Sequence, residues 1–208
     1  RVPIGFVAAA VLLTAAAFFA GRYWPATSGS GSATAHVLAL QQVTDDAGIE
    51  AEPALSPDGT SIAYTRGDGG RIRSDIFVQR VGGRTPIAIA ADPNVAEGGP
   101  AFSPDGASVA FHVQGKGGHG GIFVAGATGE SARRLSDFGY HPAWSPDGQR
   151  LIFCSELITS PLSRVSTGEL WAVDVKGGAP VKLFAGDAVE PAISPNNKRI
   201  AYWAVELG

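Results

Sequence analysis

Four apolar triplets recur along the chain: Ile62-Ala63-Tyr64, Val109-Ala110-Phe111, Leu151-Ile152-Phe153 and Ile200-Ala201-Tyr202. None has the polar alternate of a strand with one solvated face, so each predicts a short strand covered on both sides. The small residue, alanine in most copies, marks the face that approaches a neighbouring layer closely. A second strand signal follows each of the first three: Asp75-Ile76-Phe77-Val78, Gly121-Ile122-Phe123-Val124 and Glu169-Leu170-Trp171-Ala172. Each runs into a glycine-bearing turn. A closing strand then reads Pro86-Ile87-Ala88-Ile89, Arg133-Arg134-Leu135-Ser136 or Val181-Lys182-Leu183-Phe184.

Just before each triplet the chain repeats one phrase. Pro53-Ala54-Leu55-Ser56-Pro57-Asp58-Gly59 returns as Pro100 to Gly106, as Pro142 to Gly148, and in altered form as Pro191-Ala192-Ile193-Ser194-Pro195-Asn196-Asn197. The serines stand 47, 42 and 49 residues apart. The phrase reads as strand, turn, strand. Proline presets the first turn dihedral, aspartate bonds its own backbone, and glycine takes the positive-φ position. Asn197 tolerates that position too. One copy would say little; four in register, at a period of roughly 40–50 residues with four short strands per unit, predict a β-propeller. The expected fold class is all-β: a propeller with about four blades present, incomplete, preceded by one transmembrane helix. Leu40-Gln41-Gln42-Val43-Thr44 predicts a further closing strand ahead of the first unit. Propellers close at roughly four to eight blades, so the chain is expected to be part of a longer protein.

The helix expectation comes from Val2 to Ala20, 19 residues without a charge. That is enough to span a bilayer core of about 30 Å. Arg1 and Arg22 bracket the run, and Tyr23-Trp24 supply interfacial aromatics. A Ser/Gly/Thr/Ala stretch, Ala26 to Ala35, reads as a linker. The alternative is a cleaved signal peptide with Ala33-Thr34-Ala35 as its A-x-A site. The expected organisation is a membrane helix over 1–24, a linker over 25–36 and propeller repeats over 37–208, with the module at the cell membrane and the propeller outside the cytoplasm.

Composition narrows the chemistry. The net charge is −3 and the 16 basic residues are dispersed, which gives no nucleic-acid footprint. The single cysteine, Cys154, sits in an apolar strand and reads as a buried, inert thiol. Gly115-Lys116-Gly117-Gly118-His119-Gly120 matches G-x-G-x-x-G, but it joins two strands rather than opening a helix, so it reads as a hairpin loop. His36, His112, His119 and His141 lack zinc spacing, and no G-x-S-x-G elbow occurs. Asp45, Asp46, Glu50 and Glu52 read mainly as solvated surface. No catalytic residue, metal or cofactor is expected.

One constellation is left. The residue before each repeated proline is Glu52, Gly99, His141 and Glu190. The innermost strand of a blade lines the central channel, so these positions ring its mouth. Glu52, His141 and Glu190 are the candidate ligand-binding residues, suited to a cation, a basic peptide or another polar ligand; a plain water-filled channel is the competing reading.

Residues 37–208 resemble TolB-type, WD-like propeller repeats of bacteria, on the Pro-Ala-x-Ser-Pro-Asp-Gly copies and the Ile-Phe-Val and Leu-Trp-Ala strands. The apolar span, the linker, Gly186-Asp187-Ala188-Val189-Glu190-Pro191 and Arg199-Ile200-Ala201-Tyr202-Trp203 further resemble the membrane-anchor and propeller half of bacterial serine/threonine protein kinases. That resemblance implies a kinase domain upstream of Arg1; the chain itself holds no H-R-D, D-F-G or V-A-I-K. A membrane-bound winged-helix regulator has the same arrangement. The expected function is an extracytoplasmic sensor or scaffold that binds a protein or small ligand at the propeller face. The alternatives are a TolB-like periplasmic scaffold and the gating propeller of a prolyl-oligopeptidase-type peptidase.

Overall fold

The computed structural model describes residues 40, 42–45, 47–67, 73–115, 120–130, 132–158, 164, 167–184 and 186–204. The chain divides into a unit over Arg1–Gln41 and a unit over Gln42–Gly208. Fourteen strands are described, all in the second unit. The first sheet is β1 (Ile49–Leu55), β2 (Ser61–Gly67), β3 (Ser74–Arg80) and β4 (Ile87–Ala90). The second is β5 (Ala96–Phe102), β6 (Ser108–Gln114), β7 (Gly121–Gly126) and β8 (Arg133–Ser136). The third is β9 (Tyr140–Trp144), β10 (Arg150–Cys154), β11 (Leu170–Asp174) and β12 (Val181–Phe184). A two-stranded sheet, β13 (Val189–Ile193) and β14 (Ile200–Trp203), follows. Every pairing is antiparallel between sequence neighbours, which is the up-and-down meander of a propeller blade.

The expected strands are therefore present, as three full blades and half of a fourth. Gln42–Asp45, by contrast, form no strand. The Val43 carbonyl accepts from the side-chain amide of Gln79 at 2.9 Å instead of from a neighbouring strand. The run Val2–Ala20 and the Ala26–Ala35 linker lie outside the described residues. Among the described residues no helix is long and apolar enough to cross a membrane.

The cores lie between blades. Ala63, Ile76, Val78 and Ile89 of the first blade pack on Val109, Phe111, Val113 and Ala125 of the second. Ala110, Ile122, Val124 and Leu135, on the opposite face of the second blade, pack on Leu151, Phe153 and Val173 of the third. In the first two blades the small triplet residue is the one that faces the next blade. Ala63 and Ala110 leave room for the large residues of the following triplet, which is why the triplets lack a polar alternate.

Each repeated turn is closed by its own side chains. In the first, Ser56 Oγ donates to Asp58 Oδ1 at 2.6 Å and accepts from the Ser61 N–H at 2.9 Å, while Asp58 Oδ1 also accepts from the Thr60 N–H at 3.0 Å. The second and third copies repeat this set on Ser103-Asp105 and Ser145-Asp147. In the fourth, Asn196 Oδ1 takes the place of the carboxylate oxygen. Gly59, Gly106 and Gly148 have φ of 69°, 72° and 68°, and Asn197 has 56°, as the turn requires.

The serine hydroxyl and the backbone N–H groups hold Asp58 down to about 2 and lower Asp105 and Asp147 as well. A carboxylate with a depressed folded value stabilises the fold above its unfolded value, near 4, and loses that contribution as pH falls through the folded one. Replacing Asp58, Asp105 and Asp147 together with Asn keeps the bonds that Asn196 already makes. The melting temperature of that variant should fall less steeply than that of the parent between pH 5 and pH 2. Parallel curves would show that these turns are not acid-sensitive.

Candidate functional site

The four residues before the repeated prolines share one backbone state. Glu52, Gly99, His141 and Glu190 have φ of 50°, 58°, 51° and 49°. In each inner strand the pairing slips at the same place: Ala51 and Ala54 pair with Thr65 and Ala63, Gly98 and Ala101 with His112 and Ala110, Tyr140 and Ala143 with Cys154 and Ile152, and Val189 and Ala192 with Trp203 and Ala201. Two residues, X-Pro, thus oppose one, which is a β-bulge. Proline, without an N–H, is tolerated in a strand at such a bulge.

The bulge defines an inner layer of side chains. Opposite the residue before it stand Thr65, His112, Cys154 and Trp203, each directly after an apolar triplet. Thr65 Oγ1 donates to the Ala51 carbonyl at 3.0 Å, and Cys154 Sγ to the Tyr140 carbonyl at 3.5 Å. These groups partner backbone at the bulge. Burial pushes the Cys154 thiol up, so its expected inertness has a physical cause.

The second blade differs. Its bulge carries Gly98 and Gly99, and the His112 ring occupies the space their side chains would need. A Cβ on Gly98 would lie 2.7 Å from His112 Cε1 and 2.8 Å from Nε2. His112 is 1% exposed. Burial first, and the neighbouring His141 second, lower its pKa to about 3, so the ring is neutral. It packs edge-on to Tyr140 at 5.3 Å and lies 5.4 Å from the His141 ring. Its Nδ1 has no hydrogen-bond partner among the described residues.

The candidate residues divide around this point. Glu52 reaches across from the first blade, and its Oε2 accepts from the Gly99 N–H at 2.8 Å. From the third blade, His141 Nε2 accepts from the Ile158 N–H at 3.4 Å. Glu190 instead accepts from Trp203 Nε1 at 2.7 Å, within its own sheet. Glu52 and His141 flank the glycine pair; no described bond brings Glu190 to it.

A cavity of about 530 Å³ opens beside the pair, walled by Ala51, Glu52, Ser74, Glu97, His112 and Ile158 among others. Glu97 was not singled out in the sequence. It is 3% exposed. Its Oε1 accepts from the Asp92 N–H at 3.2 Å, and its Oε2 has no partner among the described residues. Burial raises its pKa to about 7, opposed by the Asp92 N–H and reinforced by the charges of Asp75 and Asp92. Glu50, expected on solvated surface, is likewise partly sequestered: Oε2 accepts from Thr44 Oγ1 at 2.6 Å and Oε1 is buried. Asp45 is exposed and Asp46 lies outside the described residues. Among the described residues no group of three His, Cys, Asp or Glu is placed to hold a metal ion. The Gly115–Gly120 loop joins antiparallel β6 and β7, as a hairpin connection does.

A further ion-pair group braces the third blade against the last sheet. Arg164 donates to Glu156 and to Asp187, which also accepts from the Gly168 N–H at 3.0 Å. These contacts are buried and mutual, which suits a structural role.

Gly98→Ala should cost ~1–3 kcal/mol, the range for forcing atoms into a packed core. Denaturant titration of Gly98→Ala, His112→Ala and the double variant checks the cause. The double variant should be more stable than the sum of the single costs implies, because the clash leaves with the ring. Strict additivity would show that Gly98 does not make room for His112.

The comparisons agree with this geometry. Residues 39–208 match the family model of the TolB beta propeller domain. Among solved structures, TolB from Acinetobacter baumannii is similar at 25% identity and TM-score 0.61, over 77% of this chain and 39% of that one. A putative TolB from Agrobacterium tumefaciens is similar at 20% identity and TM-score 0.64, over 81% and 58%. A puromycin-hydrolyzing peptidase of Mycobacterium tuberculosis shares the fold at 18% identity and TM-score 0.59, over 81% and 31%. The chain thus spans between about two fifths and three fifths of the two TolB structures. No curated protein matches it. With the repeated turns, the blade meander and a family match over most of its length, this chain belongs to the TolB beta propeller domain family.

Proposed function

We propose that this propeller is a non-catalytic docking module that takes an extended segment of a partner protein into the cavity beside Gly98 and Gly99. The observation that carries this is the cavity itself: a preformed space of about 530 Å³ at the inner strands, walled by a buried carboxyl with an unsatisfied oxygen. Such concave, largely apolar sites with a few convergent polar groups are the default place for a ligand. Glu52 lines it, His141 lies against Gly99, and Glu190 extends the same bulge row to the next sheet.

Amide NMR of the chain with random hexapeptide libraries tests this. Shifts should concentrate at Glu52, Gly98, Gly99, His141 and Ile158. Shifts confined to the outer strands β4, β8 and β12, or none at all, would sink the docking site.

The uncharged run Val2–Ala20 supports a wider reading, that the module is held at a membrane as the outward part of a single-pass receptor whose kinase or other output domain lies upstream. The native protein should then stay in the membrane pellet through alkaline carbonate washing. Release into the supernatant, with a new N-terminus near Ala35, would favour a cleaved TolB-like scaffold.

A further inference from the structure

We infer that Glu97 is the anchor for a primary ammonium group, carried on a lysine side chain of the docked segment. This rests on the reading of the cavity as a docking site and names the chemistry it selects.

Three observations lead there. The first is the unsatisfied oxygen. A buried carboxyl oxygen without a donor is costly and uncommon, and Glu97 Oε2 has none among the described residues. The second is the charge around it. From β3 and the turn before β5, Asp75 and Asp92 face Glu97, and Glu52 of β1 shares the cavity. Among the described residues the nearby basic groups are Arg73 at the exposed rim, Arg66, which stands across the strands from Asp75, and His112 of β6, which is neutral. The local field therefore favours a positive ligand. The third is the wall. Ile49, Ala96, Leu157 and Ile158 line the same space and can cover the methylene stem of a long cationic side chain.

The geometry also separates lysine from arginine. A guanidinium favours a two-pronged contact with both carboxyl oxygens. Here Oε1 already accepts from the Asp92 N–H, while Oε2 keeps its full acceptor capacity, so the stronger new contact is to a single oxygen. That suits an ammonium. A resident metal ion is a poorer fit, since no three ligating side chains converge among the described residues.

The test uses three hexapeptide libraries, each with lysine, arginine or norleucine fixed at one position and random elsewhere. Binding is followed by amide shifts at Gly98 and Gly99 from pH 5.5 to pH 8.5. The lysine library should bind at least tenfold more tightly than the norleucine library at pH 8. Because the free carboxyl titrates at about 7 and only its ionised form pairs with the ammonium, lysine binding should weaken toward tenfold per pH unit below that value. Norleucine binding should be flat. Glu97→Gln keeps a carbonyl oxygen for the Asp92 N–H and should abolish both the lysine preference and the pH slope. In the unaltered chain, the Glu97 carboxyl carbon should titrate near 7 when free and lower with the lysine library present.

Equal lysine and norleucine binding at Gly98 and Gly99, or a pH slope that survives in Glu97→Gln, overturns the ammonium site and leaves the docking module standing. Arginine binding stronger than lysine overturns the single-donor argument. No shift at these residues with any library overturns both.

Discussion

The inner wall of this protein depends on one backbone constraint, the left-handed residue that precedes each repeated proline. A β-branched or bulky residue there would be strongly disfavoured, and even Glu and His at positive φ cost about 1–3 kcal/mol each. The state recurs in every described inner strand, so the strain is built into the repeat rather than reserved for one site. It does two things. It lets proline sit inside a strand without a missing ladder bond, and it shifts the pairing so that a second-strand residue tucks beneath the bulge. Bulges and prolines also blunt a strand edge that would otherwise invite another chain.

That constraint is carried from blade to blade by contacts of matching kind. A Cβ on Gly106 would meet the Pro57 ring at 3.7 Å, and one on Gly148 would meet Pro104 at the same distance, so these two turn glycines lie beside the previous turn proline. Midway along the strands, the Glu52 carboxylate bonds the Gly99 N–H, and Trp144 Nε1 donates to the Ala101 carbonyl at 2.9 Å. Behind them, alanine on one face meets phenylalanine and branched residues on the next. The strands that line the cavity from the first two blades are therefore held to one another at the bulge and through the core behind it.

Much of this was legible beforehand, for local reasons. Turn chemistry is written in adjacent residues, so Ser-Pro-Asp-Gly could be read directly, as could Asn197 standing in for glycine. The triplets announced covered strands because burial on both faces removes the polar alternate. The bulge was not read from the sequence, although Gly99 in the series before proline carried a hint of positive φ. What stayed hidden depends on contacts between strands. The fit of His112 over Gly98 follows from their pairing across β5 and β6, and the isolation of Glu97 from burial and from Asp75 in a different strand. Glu190 looked equivalent to Glu52 along the sequence, but Trp203, present only in its own sheet, takes its carboxylate. The closing strand expected over 40–44 is absent from its described residues, where the Val43 carbonyl accepts from the Gln79 side chain.

The chain contains its own comparison for the cavity. Glu50 and Glu97 occupy equivalent positions, two residues before the bulge, and each has one buried oxygen without a partner. Their surroundings differ. Glu50 lies directly across the strand pair from Arg66, a neighbour of opposite charge. Glu97 lies across from Val113 and faces the like charges of Asp75 and Asp92. In the third sheet and the last, the same position is Gly139 and Ala188, and no carboxyl exists. In the first blade, then, the residue paired across the strands from the glutamate is cationic. The second omits the cation, clears the bulge with two glycines and leaves an open cavity beside it. A buried carboxyl with one unpartnered oxygen next to an open space is suited to completion from outside, and this difference between otherwise equivalent positions is why the proposed docking is placed where the first and second blades meet rather than at the repeat as a whole.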